Sequence, residues 1–266
     1  MSHYETIVII ISGKAYLSIQ NFSFETATGR KEMSIELPSS SEYLPHIAYD
    51  SVIFGFNGKK LRILILEYHN TGLFALPGGF VKRGEDLSDA VQRGVMERTG
   101  ISSIYLEQFH TFGTMARFQP EIMESILEAH NLSIDPDHWM LDRFMSIAHY
   151  ALINYDDVTP VPDPLSDSIC WYEVNALPPL ILDHRLIVDK ALDQIRTDLN
   201  SKPIGKSLLP ERFTMKDLQH VHEAILGMPL RRSTFQRKML SLDILERHEK
   251  LFSGKAHKAP YLYSFK

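Results

Sequence analysis

The 266-residue chain is 44% hydrophobic and 23% charged, with a formal net charge of −5, the balance of an ordinary globular protein long enough for two domains. A single cysteine, Cys170, excludes an internal disulfide and fits a reducing cytoplasm, and no apolar run approaches the roughly 20 residues of a membrane helix. Charge is unevenly distributed: residues 200–266 hold thirteen Lys and Arg against six Asp and Glu, so a basic C-terminal part follows an acidic body, the pattern of an attached polyanion-binding module.

Residues 1–44 read as an N-terminal extension. Thr6–Ile11 (TIVIII) is apolar but short, and lacks the basic start and small-residue cleavage site of a secretory signal. Two readings stand, an edge strand or an upstream extension preceding a natural start at Met33, and residues 1–32 are expected to pack poorly. From Tyr49 onward strand signals strengthen. Ser51–Phe56, a turn at Asn57-Gly58 and Leu61–Tyr68 read as a β-hairpin closed by a two-residue type of turn. A further turn at Asn70-Thr71-Gly72 leads into Leu76–Ile101, LPGGFVKRGEDLSDAVQRGVMERTGI.

In that stretch Gly78-Gly79 makes a tight turn, Asp86 or Ser88 can cap a helix carrying Arg93 and Glu97, and Gly100 closes it. The spacing resembles the Nudix box, G-x5-E-x7-R-E-U-x-E-E-x-G-U, with Gly79, Glu85, Arg93, Val95, Glu97, Gly100 and Ile101 in register. The resemblance implies an α/β/α sandwich. In a working Nudix hydrolase it also implies three carboxylates at the positions of Gly94, Glu97 and Arg98, holding Mg²⁺ against a pyrophosphate. Those positions, spaced i, i+3 and i+4, share one helix face. Mg²⁺ is a hard cation that wants several oxygens, yet here one ligand is deleted and another is replaced by a fixed positive charge. The expectation is a vestigial box with no catalytic residue, metal or cofactor, kept for recognition. The competing reading is a Nudix pyrophosphohydrolase of nucleoside-diphosphate derivatives, its Mg²⁺ site rebuilt by Glu107, Glu121 or Glu124.

Strands are predicted at Tyr105–Phe112, Ser146–Tyr155 and Ile169–Val174. An amphipathic helix over Asp183–Leu199, with Leu186, Ile187, Ala191, Ile195 and Leu199 near helical spacing, closes a domain of residues 45–199. Residues 114–142 form an insertion, with a helix over Pro120–Ala129 that places Pro in its first turn. Its Ile122, Met123, Ile126, Leu127, Trp139, Met140 and Leu141 argue that it packs on something, as a lid over a ligand cleft or as a dimer contact. Residues 200–210 are a polar linker; Gly205-Lys206-Ser207 has no preceding strand or glycine (Asn200 stands there), so nucleotide binding is rejected.

Residues 211–266 form a second module. Thr214 caps a helix lined by Leu218, Val221 and Ile225 and ended by Gly227. After a Pro229–Arg232 turn, Ser233 or Thr234 caps a second helix with Phe235, Met239 and Leu240 inward. Strands at Ile244–His248 and Tyr261–Phe265 flank a basic loop. Helix, turn, basic helix and basic hairpin is the order of a winged helix, whose second helix enters the major groove. The expected DNA contacts are Arg231, Arg232, Ser233, Thr234, Gln236, Arg237 and Lys238 on the helix, and Lys255, His257 and Lys258 on the wing. His220 and His222 lack metal spacing and are expected at the surface or in packing. The sequons at Asn21 and Asn131 would go unused in a cytoplasmic chain.

A degraded Nudix box joined to a winged helix resembles the Nudix-related transcriptional regulators of bacteria, over about residues 45–266. That family divides into ADP-ribose-sensing repressors of NAD biosynthesis and sugar-utilisation regulators, including arabinose regulators of Bacteroidetes. The run ALPPLILDHRLIVDKAL looks closer to the sugar branch. The resemblance implies a cytoplasmic homodimer that binds a double-stranded operator and a sugar or ADP-ribose-like effector. Phe80, Lys82, Arg83, Glu97, Arg98 and Arg117 are the candidate effector residues. Arg98 has two roles open to it, meeting an anionic ligand or neutralising Glu97.

Overall fold

The computed structural model describes residues 37–101, 104–199, 202, 204–251 and 259–266, with the backbone alone of 7–11 and 14–18. The chain divides into two compact units, Met1–Leu37 and Pro38–Lys266. In the first, β1 (Ile7–Ile11) and β2 (Lys14–Ser18) form their own antiparallel two-stranded sheet. Met33 lies outside the described residues.

The second unit is built on a seven-stranded mixed sheet of β3 (Tyr43–Phe56), β4 (Leu61–Tyr68), β5 (Phe74–Ala75), β6 (Gly78–Lys82), β7 (Tyr105–Phe112), β8 (Met145–Asn154) and β9 (Ser166–Glu173). Its helices are α1 (Leu87–Thr99), α2 (Pro120–Ala129) and α3 (His184–Asp198). β3 runs parallel to β8 along its C-terminal ten residues, and antiparallel to β4 and β6 at its two ends. Side chains alternate across a strand. Val52, Phe54, Ile63, Ile65 and Tyr150 therefore meet Ile187, Val188, Ala191 and Ile195 of α3, while Tyr49, Ile53, Leu64 and Leu66 meet Ala90, Val91 and Val95 of α1. Coverage on both faces explains why LRILILEY reads as a continuous apolar run rather than an alternating one.

The predicted strands and helices stand, with local differences: Gly78 and Gly79, expected as a tight turn, instead open β6, paired with Asp50 and Tyr49 of β3. The β3–β4 connection has four residues, 57–60, rather than two, because Asn57 Oδ1 accepts the Lys59 and Lys60 N–H groups at 3.3 and 2.9 Å and draws them into the turn. Asp86 occupies the α1 N-cap position but makes no side-chain cap bond. In α3, Leu186 is 46% exposed, and Val188 and Leu192 point inward instead.

Residues 204–209, expected in a polar linker, are instead part of the core. They include α4 (Gly205–Leu208), with Ile204, Leu208 and Leu209 buried. A Cβ on Gly205 would come within 2.8 Å of Leu218, so this segment packs closely on the module that follows. That module comprises β10 (Phe213–Thr214), α5 (Met215–Leu226), α6 (Arg232–Ser241), β11 (Leu245–Lys250) and β12 (Tyr261–Phe265), its strands ordered β10-β12-β11. Thr214 caps α5 as expected, in a capping box in which Asp217 returns a bond to the Thr214 N–H at 2.9 Å, and Gly227 ends it in the left-handed conformation. One apolar cluster runs from the sheet through α3 to Phe213, Leu218, Val221, Ile225, Phe235 and Met239.

His222 is buried at the α5–α6 end of this cluster against Phe235, with ring centroids 5.0 Å apart. Burial, aided by Lys238, lowers its pKa from 6.5 to about 4. Between those values the unfolded chain binds a proton that the folded chain does not, so the contribution is present above pH 6.5 and is lost as pH falls toward 4. The expected loss is about 3 kcal/mol. Urea unfolding at a series of pH values checks it: His222→Leu should flatten this part of the acid slope, and an unchanged slope would refute the assignment.

Candidate functional site

β6 and the loop into α1 present the box. Glu85 braces it: Oε1 accepts the Lys82 N–H at 2.8 Å and Arg93 Nη2 at 2.6 Å, while Oε2 accepts Arg93 Nε at 3.1 Å. Arg93 Nη2 also donates to the Phe80 carbonyl at 3.2 Å, tying strand, loop and helix together. Partial burial disfavours the charged form of both groups, but their mutual hydrogen bonds, with the Lys82 N–H also on Glu85, outweigh it, lowering the Glu85 pKa and raising that of Arg93.

The helix face that the resemblance assigns to metal is differently filled. Arg98 turns to Asp163, Nη2 to Oδ2 3.0 Å, with Glu97 the more distant partner at 3.5 Å. Beneath Gly94 lies the ring of Tyr49, so that a Cβ at residue 94 would fall 2.2 Å from its hydroxyl oxygen. Burial pushes this hydroxyl up to about 12, with Arg93 and Arg98 pulling the other way, so it remains a neutral phenol. A guanidinium and a phenol, with Glu97 alone as acid, do not fit Mg²⁺. The outlying candidates do not complete the set: Glu107 pairs with Lys202 at 2.9 Å, and Glu121 and Glu124 are exposed on α2. Among the described residues no group of three or more His, Cys, Asp and Glu is placed to hold a metal ion.

Beside the box an aromatic cluster closes over Phe80. Trp139 from the insertion lies with its ring centroid 4.8 Å from Phe80, edge to face, and stacks on Tyr43 at 6.0 Å. Phe144 joins at 5.2 Å from Phe80, and Trp139 Nε1 donates to the Pro38 carbonyl at 2.9 Å. The insertion thus packs on the residue that follows Gly79. Lys82 and Arg83 are exposed at the rim, where Arg83 Nη2 donates to the Ser40 carbonyl at 3.2 Å.

Arg117 is elsewhere. Asp50 shares the strand parity of Val52 and Phe54, hence the α3 side of the sheet, and Arg117 reaches it there at 3.2 Å while also pairing with Asp183 at the start of α3. Asp50 also accepts Ser146 Oγ at 2.6 Å. His184 Nδ1 accepts the Leu76 N–H at 3.0 Å, which leaves the proton on Nε2, 3.6 Å from Asp50, and burial lowers its pKa. The structure therefore groups Phe80, Lys82, Arg83, Glu97 and Arg98 around the box and separates Arg117 from them. Sequence reasoning did not find this buried cluster, although Asp50 inside the apolar run YDSVIF was its signal, since a charge there needs a partner.

In the C-terminal module, Arg231, Arg232, Ser233, Thr234, Arg237 and Lys238 are exposed on α6 and its N-terminal approach, and Gln236 is half-buried. α6 begins two or three residues earlier than expected, with Arg231 at its N-cap, so neither Ser233 nor Thr234 caps it. Leu240 is 47% exposed rather than inward, because Phe235 and Met239 alone face the core of this ten-residue helix. Arg247 and Lys250 flank the ring of Tyr261 on β11 and β12, at 4.8 and 5.2 Å from its centroid. Lys255, His257 and Lys258 lie outside the described residues.

Residues 44–193 match the NUDIX domain family, and residues 205–265 match the family described as the NrtR DNA-binding winged helix domain. The chain is 28% identical to the ADPR responsive transcriptional repressor NtrR of Acinetobacter baylyi over 85% of this chain and 82% of that protein. It is similar to the crystal structure of Shewanella oneidensis NrtR, with a TM-score of 0.63 and 26% identity over 83% of this chain and 94% of that one. It is also similar to the same protein complexed with a 27mer DNA, with a TM-score of 0.64 and 26% identity over 83% and 93% of the two chains.

Proposed function

We propose that this chain, which belongs to the NUDIX domain family and ends in a winged helix domain of the NrtR type, is a transcriptional regulator that binds ADP-ribose or a close relative without cleaving it and thereby controls operator binding. One observation carries the reading: the brace of the box, Glu85 with Arg93, is intact, while its metal face is taken by Tyr49 and by Arg98 bound to Asp163. A surface that keeps its shape and loses its acids recognises rather than hydrolyses.

The effector surface in this reading is the exposed rim of Lys82 and Arg83, the outer face of α1 at Glu97, and Phe80 under the Trp139 lid. Cations at the rim suit a diphosphate, and aromatic rings suit the flat face of a base. The Acinetobacter relative is named for its response to ADPR, which favours this ligand over a sugar. The basic helix α6 is the DNA-reading element. A homodimer would set two such helices on successive major grooves about 34 Å apart, a spacing that a modest rotation spoils. The apolar cluster continuous from sheet to α6 is a physical route for that rotation.

Calorimetry and chromatography test the effector half. With Mg²⁺ or Mn²⁺ present, ADP-ribose should bind and be recovered whole. Release of AMP, abolished by Glu97→Gln, would instead establish a pyrophosphohydrolase.

A further inference from the structure

Gly94 leaves the helix face one carboxylate short, and its surroundings say more. Alternation along β3 turns Tyr49 and Ile53 toward α1, and Tyr49 is 2% exposed in the core that includes Val91 and Val95. Its hydroxyl oxygen lies between two glycines of the box: a Cβ built on Gly79 would be 2.6 Å away, and one built on Gly94 2.2 Å away. Real Cβ atoms do not approach another atom that closely, and the ring is held by the core beneath α1 rather than hanging from a flexible chain. One residue along, Asp50 is fixed on the opposite face by Arg117 and Ser146, so the strand cannot slide to release the ring.

We infer that Tyr49 is the third member of the change that disarms this box, filling from β3 the space that any metal-binding side chain at position 94 would need. Gly94, a residue that weakens helices, is present because Tyr49 is beneath it. Arg98 is a separate event, answered by Asp163. It follows that returning glutamates to positions 94 and 98 does not rebuild a metal site while Tyr49 remains, and that removing Tyr49 as well does. This deepens the reading of the box as a non-hydrolytic surface and rests on it, but metal affinity is read without DNA or effector, so the two fail separately.

The test is Mn²⁺ binding to the full-length protein, followed by the loss of the free-ion electron paramagnetic resonance signal. G94E/R98E should bind Mn²⁺ no better than wild type, and Y49A/G94E/R98E should bind it at least about tenfold more tightly. A double variant that binds as tightly as the triple, or a triple no better than the double, overturns the inference. Should either variant fail to fold, the smaller pair decides. Gly94→Ala should lower Tm by about 5 °C in the wild-type background and by less than half of that in Tyr49→Phe, which lacks the clashing oxygen. Equal losses in both backgrounds overturn it as well.

Discussion

Replacing Arg117 with methionine is expected to lower folding stability by about 3–5 kcal/mol, because it strands two buried carboxylates. Arg117 has a side chain only 5% exposed and bridges Asp50 on β3 to Asp183 at the start of α3, whose side chains are only 9% and 12% exposed. Removing one member of a buried ion pair costs more than the pair contributes, since the remaining charge keeps its desolvation penalty without its partner. In a domain of this size the loss amounts to a Tm decrease of about 10 °C. Arg117 also anchors the insertion whose far end carries Trp139 onto Phe80, so ADP-ribose affinity should fall along with stability. Arg185→Ala, which breaks an exposed pair with Asp189 on α3, is the control and should leave Tm within error. Scanning calorimetry of the two variants checks the contrast; equal Tm values would remove the buried cluster from the account.

The second large effect concerns α6. Arg232→Ala with Arg237→Ala should weaken binding to a duplex selected by the wild-type protein at least about 100-fold near 0.1 M salt, and should reduce the slope of log K against log salt by about 2. Both side chains are exposed, so the fold should be untouched. The position of the helix gives the argument its force: Phe235 and Met239 fasten α6 to α5, and the rest of its surface, led by its positive N-terminal end, is presented outward. Fluorescence anisotropy at several salt concentrations reads both quantities. An unchanged slope would mean that the phosphates are met by other residues.

What could be read from the residues alone was local. The box spacing, the bounds of α2 at Pro120 and Ala129, β7, β12 and the Thr214 cap all follow from short-range rules of turn, cap and periodicity, and they stand in the structure as expected. What escaped was set by topology. Tyr49 and Gly94 are brought together only because β3 passes beneath α1, and Asp50, Arg117, Asp183 and His184 only because strand, insertion and helix converge. The burial of Ile204, Leu208 and Leu209 was masked by the polar residues around them. Leu240 is not legible from the pattern because a ten-residue helix with two buried side chains leaves its period underdetermined.

In the function proposed, one chain joins non-hydrolytic recognition of ADP-ribose to reversible binding of duplex DNA. An effector shifts such an equilibrium only through its different affinities for the bound and free forms. The direct measurement is the anisotropy of the labelled, selected duplex with the protein bound, as ADP-ribose is titrated in and the nucleotide is afterwards recovered for analysis. Release of the DNA with ADP-ribose returned intact is the outcome this account predicts. DNA affinity indifferent to ADP-ribose, or release that tracks its cleavage, would contradict it.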